Sequence, residues 1–409
     1  MNSANTVVLF LGGQLSDRRI KIYFARIDIL NALINIDRIR KTIYSCIKTR
    51  SFYFYYTMKK MGIGIAGCGV IADIHAQAIG ASRNLELVSC FDRNERKSKA
   101  FGDKYQIACH SDWEQFIYHP EIDMVSICTP SGTHFDIGMM VARAGKHVIV
   151  EKPIEVTLAR ANRLIAICRA EGVHLAVIFQ SRFMPQIQLL HEQLEAGILG
   201  RIFMGDAYVK WYRSQEYYDS GDWRGTIKLD GGGALINQSI HTIDLLQWLM
   251  GGVDSLYGQI GTFTHQNLEG EDNAVAALRY KSGAIGVIEG STSIQPVQPR
   301  RIELHGEKGS AILVDDRVEI RLAGPGKREW RSEMCSEKEA TGSSSPLSGF
   351  SIEPHRDQFD AIADAIASGE IPPISGEEAL KALVIIKAIY KSAENGTPVR
   401  LEPFSQGIA

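Results

Sequence analysis

An α/β fold with two domains is predicted by three observations on the sequence. An apolar strand over residues 63–66 runs into the turn Gly67-x-Gly69-x-x-Ala72, which a helix follows. A later apolar run, residues 147–150, ends at Glu151-Lys152-Pro153. Beyond residue 200, short alternating strands between glycine-containing turns, the last near 310–320, indicate a mainly antiparallel sheet, and the polar residues 324–350 are expected to be a loop or mobile excursion. The sequence therefore predicts an N-terminal Rossmann domain with a doubly wound parallel sheet, followed by an α+β domain with an open sheet.

The glycine turn is predicted to bind a dinucleotide. Its glycines let the backbone approach a pyrophosphate at the N-terminus of the following helix, where unpaired N–H groups favour an anion. A tight turn in a protein that binds no nucleotide is the alternative. The predicted contacts within the turn are Gly67, Gly69, Val70, Ile71 and Ala72.

The end of the second strand indicates which dinucleotide binds. Residues 85–91 form an apolar strand that ends at Asp92, about 20–25 residues after the turn, where an acid binds the ribose 2′-hydroxyl. A carboxylate would repel a 2′-phosphate, so NAD is predicted rather than NADP. Arg93, the next residue, is the feature that favours NADP.

Two further strand ends are predicted to reach the same cofactor, because open α/β sheets bind ligands at the carboxyl ends of their strands. One strand, residues 124–128, ends just before Thr129, and the other is the run that ends at Lys152. The residues predicted to line the cofactor there are Thr129, Pro130, His134, Glu151 and Lys152.

With these motifs the chain resembles the Gfo/Idh/MocA family of NAD(P)-dependent oxidoreductases. The resemblance covers roughly residues 61–403 and rests on the glycine turn, Thr129-Pro130-x-x-x-His134, Glu151-Lys152-Pro153 and Gly231-Gly-Gly-Ala-Leu-Ile-Asn-Gln-Ser-Ile-His241. It implies a Rossmann domain and an α/β domain whose open sheet carries the substrate site. It also implies polar groups near the nicotinamide and the substrate after residue 179, here Gln180 for the cofactor and Arg182 for the substrate.

A helix predicted over residues 234–250 carries the expected catalytic group. Asn237, His241 and Asp244 form one polar stripe on an otherwise apolar helix, so they are expected to face a polar cavity. Side chains satisfied within the core are the alternative. The resemblance places the catalytic histidine at His241. Many family members carry aspartate where this chain has Asn237, which puts in doubt any proton relay through a carboxylate at 237.

The resemblance implies reversible oxidation of a secondary hydroxyl of a sugar, cyclitol or nucleotide sugar by hydride transfer. His241, with an ordinary pKa near ~6.5, would take the hydroxyl proton at neutral pH, and Lys152 would stabilise the alkoxide and exchange proton roles with it. The Lys152-Pro153 bond is of the type that tolerates a cis peptide.

Substrate contacts are predicted on the polar stripe and on a loop before it. Asn237 and Asp244 belong to the stripe, while Trp223 offers a stacking surface and Arg224 a cation for a phosphate or carboxylate. Packing of Trp223 beneath the loop is the alternative. The wording Gly-Gly-Gly-x-Leu-x-Asn-Gln-x-Ile-His is similar to that of a subgroup that acts on nucleotide-linked amino sugars or their uronates, of the UDP-N-acetylglucosaminuronate type.

Two other classes of function remain open at this point. One is a glycosidase that uses NAD only transiently, oxidising and re-reducing the sugar to allow elimination. The other is a sugar- or dinucleotide-sensing regulator that has kept the fold. Lys152 and His241 argue against the regulator, because a sensor does not need an acid–base pair.

Composition excludes several partners. A net charge of −2 does not indicate the basic surface that binds nucleic acid or an anionic membrane. The seven cysteines are scattered, with no CxxC pair and no Cys/His cluster, so neither disulfides nor a metal site is expected, and a cytoplasmic location is predicted. No apolar run approaches the ~18–20 residues needed to span a bilayer.

Domain boundaries are expected at 58–182 for the Rossmann domain and 183–409 for the second domain, whose C-terminal helices pack back. Residues 1–57 carry nine Lys and Arg against three Asp and Glu, unlike the rest. They are expected to be an extension upstream of a biological start at Met58 or Met61. An arm that docks on a partner subunit, or an export signal at Arg18-Arg19, is the alternative. A homodimer or homotetramer joined through the open sheet is predicted.

Overall fold

A parallel sheet forms the N-terminal domain. The structure, a computed structural model, describes residues 60–324, 329–331 and 351–406. The strands of this sheet are β1 Met61–Ala66, β2 Leu85–Phe91, β3 Ala108–His110, β4 Met124–Ile127, β5 His147–Val150 and β6 Leu175–Val177. Their order is β3-β2-β1-β4-β5-β6, and all neighbours are parallel. The strand order reverses between β1 and β4, which is where open α/β sheets bind ligands.

Three helices of this domain begin after residues whose side chains cap them. Asn94 accepts hydrogen bonds from the N–H groups of Arg96 and Lys97, and Thr157 accepts one from Arg160, which satisfies N–H groups that have no partner within the helix. The helices are α1 Val70–Gly80, α2 Glu95–Tyr105, α3 Trp113–Ile117, α4 His134–Arg143 and α5 Leu158–Ala170.

The second domain contains a sheet of nine strands among the described residues. They are β7 Ile202–Lys210, β8 Val253–Gly261, β9 Asn273–Tyr280, β10 Ile285–Ser291, β11 Arg301–Gly306, β12 Gly309–Val314, β13 Arg317–Leu322, β14 Glu329–Arg331 and β15 Val399–Arg400. Their order is β14-β13-β12-β11-β7-β10-β9-β8-β15. Only β7 and β10 pair in parallel, so the predicted mainly antiparallel sheet is confirmed.

One face of the second sheet is covered by helices. Along β9, Ala274, Ala276 and Leu278 are buried while the residues between them point outward, as the two-residue period of a strand requires. The helices of this domain are α6 Pro185–Glu195, α7 Gln215–Asp219, α8 Ile240–Met250, α9 Glu353–Ala367, α10 Gly376–Asn395 and α11 Leu401–Gln406. Of these, α10 packs along β8 and α8.

The C-terminal helices return to the nucleotide domain. On α9, the side chain of Gln358 accepts a hydrogen bond from the N–H of Phe179 and donates one to the carbonyl of Val177. Phe359 packs edge-on against His75 of α1, with ring centres 5.2 Å apart. Helix α9 therefore packs against the carboxyl end of the parallel sheet.

The structure differs from the sequence predictions in three places. The predicted helix over 234–250 begins as a π-helix, Ala234–Ser239, before α8 starts. The predicted strand over 310–320 is two strands, because the chain turns at Asp315 with φ +50°. The polar segment 324–350, predicted as a loop, contains β14.

Predictions made for residues 1–57, and for the rest of 324–350, lie outside the described residues. Within the described part of the chain, none of the helices combines the length and the apolar character needed to cross a membrane.

Candidate active site

The glycine turn leaves an open cradle at the start of α1. Gly67 has φ +96°, and a Cβ atom there would lie 2.9 Å from the carbonyl oxygen of Cys128, so a side chain does not fit. Gly69 has no atom within 4 Å of the place its Cβ would take. Val70 beside it is 67% exposed, while Ala72 is buried. A pyrophosphate can therefore approach the first N–H groups of α1, where the helix dipole favours negative charge.

Asp92 stands beside this cradle at the end of β2. One carboxylate oxygen accepts the N–H of Cys68 at 3.1 Å and the other accepts the N–H of Asn94 at 2.8 Å, which fixes the carboxylate next to the turn. Arg93 is exposed, and Ile71 is half-buried. The carboxylate fits a ribose hydroxyl, since each oxygen still has a lone pair to offer.

His134 braces two strand ends. Its Nδ1 lies 2.9 Å from the carbonyl oxygen of Pro153 and its Nε2 lies 3.0 Å from that of Thr129, and the residue is 1% exposed. Thr129 and Pro130 remain half-buried at the end of β4. Both ring nitrogens of His134 therefore already have partners. Its predicted contact with the cofactor stays a prediction.

The side chain of Glu151 is also directed inward. Its Oε1 lies 2.8 Å from Nε2 of His75 and its Oε2 accepts the N–H of Lys152 at 3.0 Å. Burial raises the pKa of Glu151, but His75 and Lys152 outweigh it and hold this pKa at about 2. Conversely, contacts with Cys128 and Glu151 overcome burial and raise the pKa of His75 to about 10. Glu151 is thus one half of a buried ion pair, and its predicted contact with the cofactor stays a prediction.

His355 of α9 completes this buried cluster. Donor atoms of His75, Glu151 and His355 lie within 4.8 Å of one another, a set that metal ions accept. The ion pair already joins two of the three, and burial lowers the pKa of His355 to about 4. The expectation that the chain has no metal site stays a prediction.

Lys152 lies between the two domains. Its Nζ donates a hydrogen bond of 3.0 Å to the backbone carbonyl of Asn237, and the Lys152–Pro153 peptide is cis. Burial lowers the pKa of Lys152, and the charges of Glu151 and Asp230 act in the opposite direction. Lys152 as a whole residue is half-buried.

The π-helix that presents the Asn237 carbonyl is held by a buried glutamate. Glu271, two residues before β9, accepts the N–H groups of Gly233 at 3.0 Å and Leu235 at 2.7 Å. From α10, Tyr390 donates to the same carboxylate and Lys387 donates to the carbonyl of Gly231. A wider helical turn of this kind is common at functional sites.

His241 lies in the first turn of α8 with an unsatisfied ring nitrogen. Its Nδ1 is buried and has no hydrogen-bond partner among the described residues, and the same holds for Oε1 of Gln180. Buried polar atoms in folded proteins are normally paired, so these two fit polar groups of a cofactor and a substrate. Burial and then the charge of Lys152 hold the pKa of His241 well below 6.5. The expectation that it titrates near neutrality is therefore corrected.

A chain of hydrogen bonds runs through Asn237 and Gln238, and most of its members were not predicted from the sequence. Nδ2 of Asn237 donates to Asp230 at 2.6 Å, and Nε2 of Gln238 donates to Oδ1 of Asn237 at 2.7 Å. Gln238 in turn accepts from Arg213 at 2.6 Å and contacts the hydroxyl of Tyr217 at 3.0 Å. Asp230 directly precedes Gly231, so its place in that motif was the signal that could have identified it.

Trp223 and Arg224 lie beside these hydrogen-bonded residues, and the rings of Trp223 and Tyr217 form an aromatic wall next to Arg224. The guanidinium of Arg224 lies 4.3 Å from the ring centre of Tyr217 and 4.7 Å from that of Trp223. Both Trp223 and Arg224 are half-buried. Stacking on aromatic rings fixes the guanidinium plane and leaves its N–H groups for an anionic ligand.

Arg182 and Asp244 form a buried ion pair. Arg182 donates two hydrogen bonds to Asp244, at 2.6 and 2.7 Å, and the side chains are 4% and 1% exposed. Arg182 also pairs with Glu378 of α10 at 3.0 Å. These pairs tie the segment after β6 to α8 and α10, and the substrate contacts predicted for both residues stay predictions.

Comparison with known proteins agrees with this architecture. Residues 61–179 match the Oxidoreductase family, NAD-binding Rossmann fold, and residues 191–401 match the Oxidoreductase family, C-terminal alpha/beta domain. The chain therefore belongs to the Gfo/Idh/MocA oxidoreductase family. The family and the fold predicted from the sequence are both confirmed.

Characterised relatives narrow the class. The myo-inositol 2-dehydrogenase of Thermotoga maritima is 28% identical over 84% of this chain and 99% of its own length. The D-glucoside 3-dehydrogenase of Escherichia coli is 25% identical over the same two shares. The crystal structure of the WlbA dehydrogenase from Bordetella pertussis, in complex with NADH and UDP-GlcNAcA, is 32% identical, with a TM-score of 0.73 over 84% of this chain and 99% of that one. This protein is an NAD-binding oxidoreductase of the sugar and inositol dehydrogenase type.

Proposed function

We propose that the enzyme oxidises a secondary hydroxyl of a nucleotide-linked sugar, with Lys152 and His241 handling the proton. The observation that carries this is the bond from Lys152 to the carbonyl of Asn237. It holds the lysine that follows β5 against the turn that leads into His241, and the Gly67–Gly69 cradle follows β1 of the same parallel sheet. Acid–base groups and a cofactor site thus meet at the end of the parallel sheet.

His241 and Lys152 have different proposed roles because one is neutral and the other is a cation. Since burial and Lys152 keep the pKa of His241 well below 6.5, its imidazole is neutral at physiological pH and can accept the hydroxyl proton. Lys152 donates a hydrogen bond to the same oxygen and stabilises the alkoxide that develops. Bound NAD supplies the acceptor for the hydride. The Gly67–Gly69 cradle, Asp92 and Gln180 would hold it.

The nucleotide part of the substrate is inferred from the aromatic wall. Arg224 on Tyr217 and Trp223 offers a fixed cation and ring faces, which suit a phosphate or carboxylate beside a sugar. The WlbA relative was crystallised with UDP-GlcNAcA, a sugar that carries both groups. A UDP-linked uronate is therefore the substrate class we propose.

The test measures NADH formation with UDP-GlcNAcA, UDP-GlcNAc, myo-inositol and a simple glucoside under identical conditions. We expect the highest kcat/KM for UDP-GlcNAcA and a raised KM for it in Arg224→Met. Arg201→Met is the matched control, because Arg201 is exposed and pairs with Glu307 away from the site. Higher kcat/KM for inositol or the glucoside would overturn the nucleotide-sugar assignment.

A further inference from the structure

Position 237 carries an amide, yet a carboxylate contacts it. Oδ1 of Asp230 accepts a hydrogen bond of 2.6 Å from Nδ2 of Asn237, and Oδ2 accepts one of 2.8 Å from the N–H of Gly225. Asp230 is 2% exposed. A buried carboxylate with two donors is held in one orientation, and here it lies seven residues before the amide that it contacts.

Asn237 connects this carboxylate to Lys152. Its side chain donates to Asp230, while its backbone carbonyl accepts the hydrogen bond from Lys152. Its own amide oxygen accepts from Gln238, so the amide cannot flip without losing two hydrogen bonds. The single residue Asn237 thus transmits the position of Asp230 to the ammonium group.

We propose that Asp230 is a positioning residue which, through Asn237, holds Lys152 in place and links its ammonium to a buried negative charge. This inference rests on the proposed role of Lys152. The sequence pattern leaves position 237 without a carboxylate, and Asp230 places one in contact with the same side chain.

The electrostatic surroundings agree with this role. Burial raises the pKa of Asp230, whereas the bonds from Gly225 and Asn237 and the charge of Lys152 lower it. The charge of Asp230 acts in turn to raise the pKa of Lys152. The other charged or titratable groups that face Lys152 are Glu151 in its own loop, Arg213 after β7 and His241 on α8.

An exchange of the two side chains tests the inference. In Asp230→Asn the N–H of Gly225 and the amide of Asn237 face a single oxygen, so one bond is lost together with the charge. In Asn237→Asp two carboxylates face each other at hydrogen-bonding distance. In the double variant, the new amide oxygen accepts from Gly225 and its NH₂ group donates to the new carboxylate, which still accepts from Gln238. Every hydrogen bond is satisfied again, with the charge moved from residue 230 to residue 237, whose backbone carbonyl accepts from Lys152.

The first readout needs no substrate. The protonation of Lys152 is followed by NMR of ¹³C-labelled lysine, with the signal assigned from its absence in Lys152→Met. Asp230→Asn should move the titration to lower pH by about one unit, since a nearby opposite charge shifts a pKa by that order or more. The exchanged double variant should bring it back. Asp222→Asn, an exposed carboxylate of the same loop, is the matched control and should leave it unchanged.

The second readout is kcat with NAD and UDP-GlcNAcA. Asp230→Asn and Asn237→Asp should each lose about ten- to a hundredfold, the range expected for a hydrogen bond to a charged group, and the double variant should regain most of that loss. An unchanged Lys152 titration in Asp230→Asn, or a double variant no better than the worse single one, would overturn the inference. If Lys152→Met itself kept wild-type kcat, the proposed function would fail whatever Asp230 does.

Discussion

Replacing Arg182 by methionine should destabilise the protein far more than replacing an exposed arginine. Arg182 and Asp244 are 4% and 1% exposed and share two short hydrogen bonds. Removing one member leaves an uncompensated buried charge, which lowers the free energy of unfolding by about 3–5 kcal/mol. Glu378 keeps a second partner, Lys381, so the loss falls on Asp244.

Urea unfolding followed by circular dichroism measures this loss. Arg169→Met is the matched control, because Arg169 pairs with Glu377 with side chains 75% and 53% exposed. Exposed pairs contribute about 0–1 kcal/mol, so the control should unfold almost like the wild type. Arg182→Met combined with Asp244→Leu should recover most of the loss, since an apolar pair leaves no charge buried.

Two results would refute this reasoning. Equal unfolding free energies for Arg182→Met and the Arg169 control would show that the buried pair does not behave as one. A double variant whose loss equals the sum of the single losses would show that the two charges do not interact. If instead Arg182→Met unfolded normally but raised the KM for substrate, Arg182 would belong to the substrate site, as its sequence position suggested.

Three further outcomes are expected. The kcat/KM–pH profile should lose the activity that depends on neutral His241 only well below pH 6.5, because burial and Lys152 place the pKa of His241 there. A fall in kcat/KM near neutral pH that is absent from His241→Ala would contradict this. Asp92→Ser should lower the kcat/KM ratio of NAD to NADP by about ten- to a hundredfold, and an unchanged ratio would remove Asp92 from cofactor choice. Light scattering should show a homodimer or homotetramer, because Val275 and Ile285 are 53% and 48% exposed on the sheet. Val275→Lys should weaken this association, and a monomeric wild type would contradict the sheet interface.

Local features of the nucleotide domain were predictable from the sequence. The glycine turn and Asp92 depend on short-range requirements, namely a positive φ at Gly67 and an acid at the end of the next strand. Such requirements restrict which residue types can occupy these positions, so they can be recognised in the sequence. The cofactor class, NAD, follows from the same features and is confirmed by the family.

The geometry of the catalytic turn was less accessible. Apolar spacing over 234–250 fits an α-helix, and a π-helix at its start adds less than one residue per turn, too little to alter the pattern. Asp230 looked like part of a loop, because its contact with Asn237 depends on the path of the glycines between them. Neither feature has a periodic signature.

The roles of charged residues were hardest to predict. Arg182 and Asp244 are 62 residues apart, and His75 and Glu151 are 76 apart, so nothing in the sequence shows that they pair. In the folded chain these side chains are paired with one another and buried. His134 follows the same rule, since the carbonyls that occupy its ring come from two separate loops.

The central claim, that Lys152 and His241 act together on one hydroxyl, is tested most directly by their double-mutant cycle. With saturating NAD and substrate, Lys152→Met and His241→Ala should each lower kcat by about 10²–10⁴-fold, and the double variant should lose much less than the product, since residues that act as a unit are not additive. The Kd for NAD should change little, because the Gly67–Gly69 cradle and Asp92 hold it. Wild-type kcat in either single variant, or losses that multiply fully, would contradict the account.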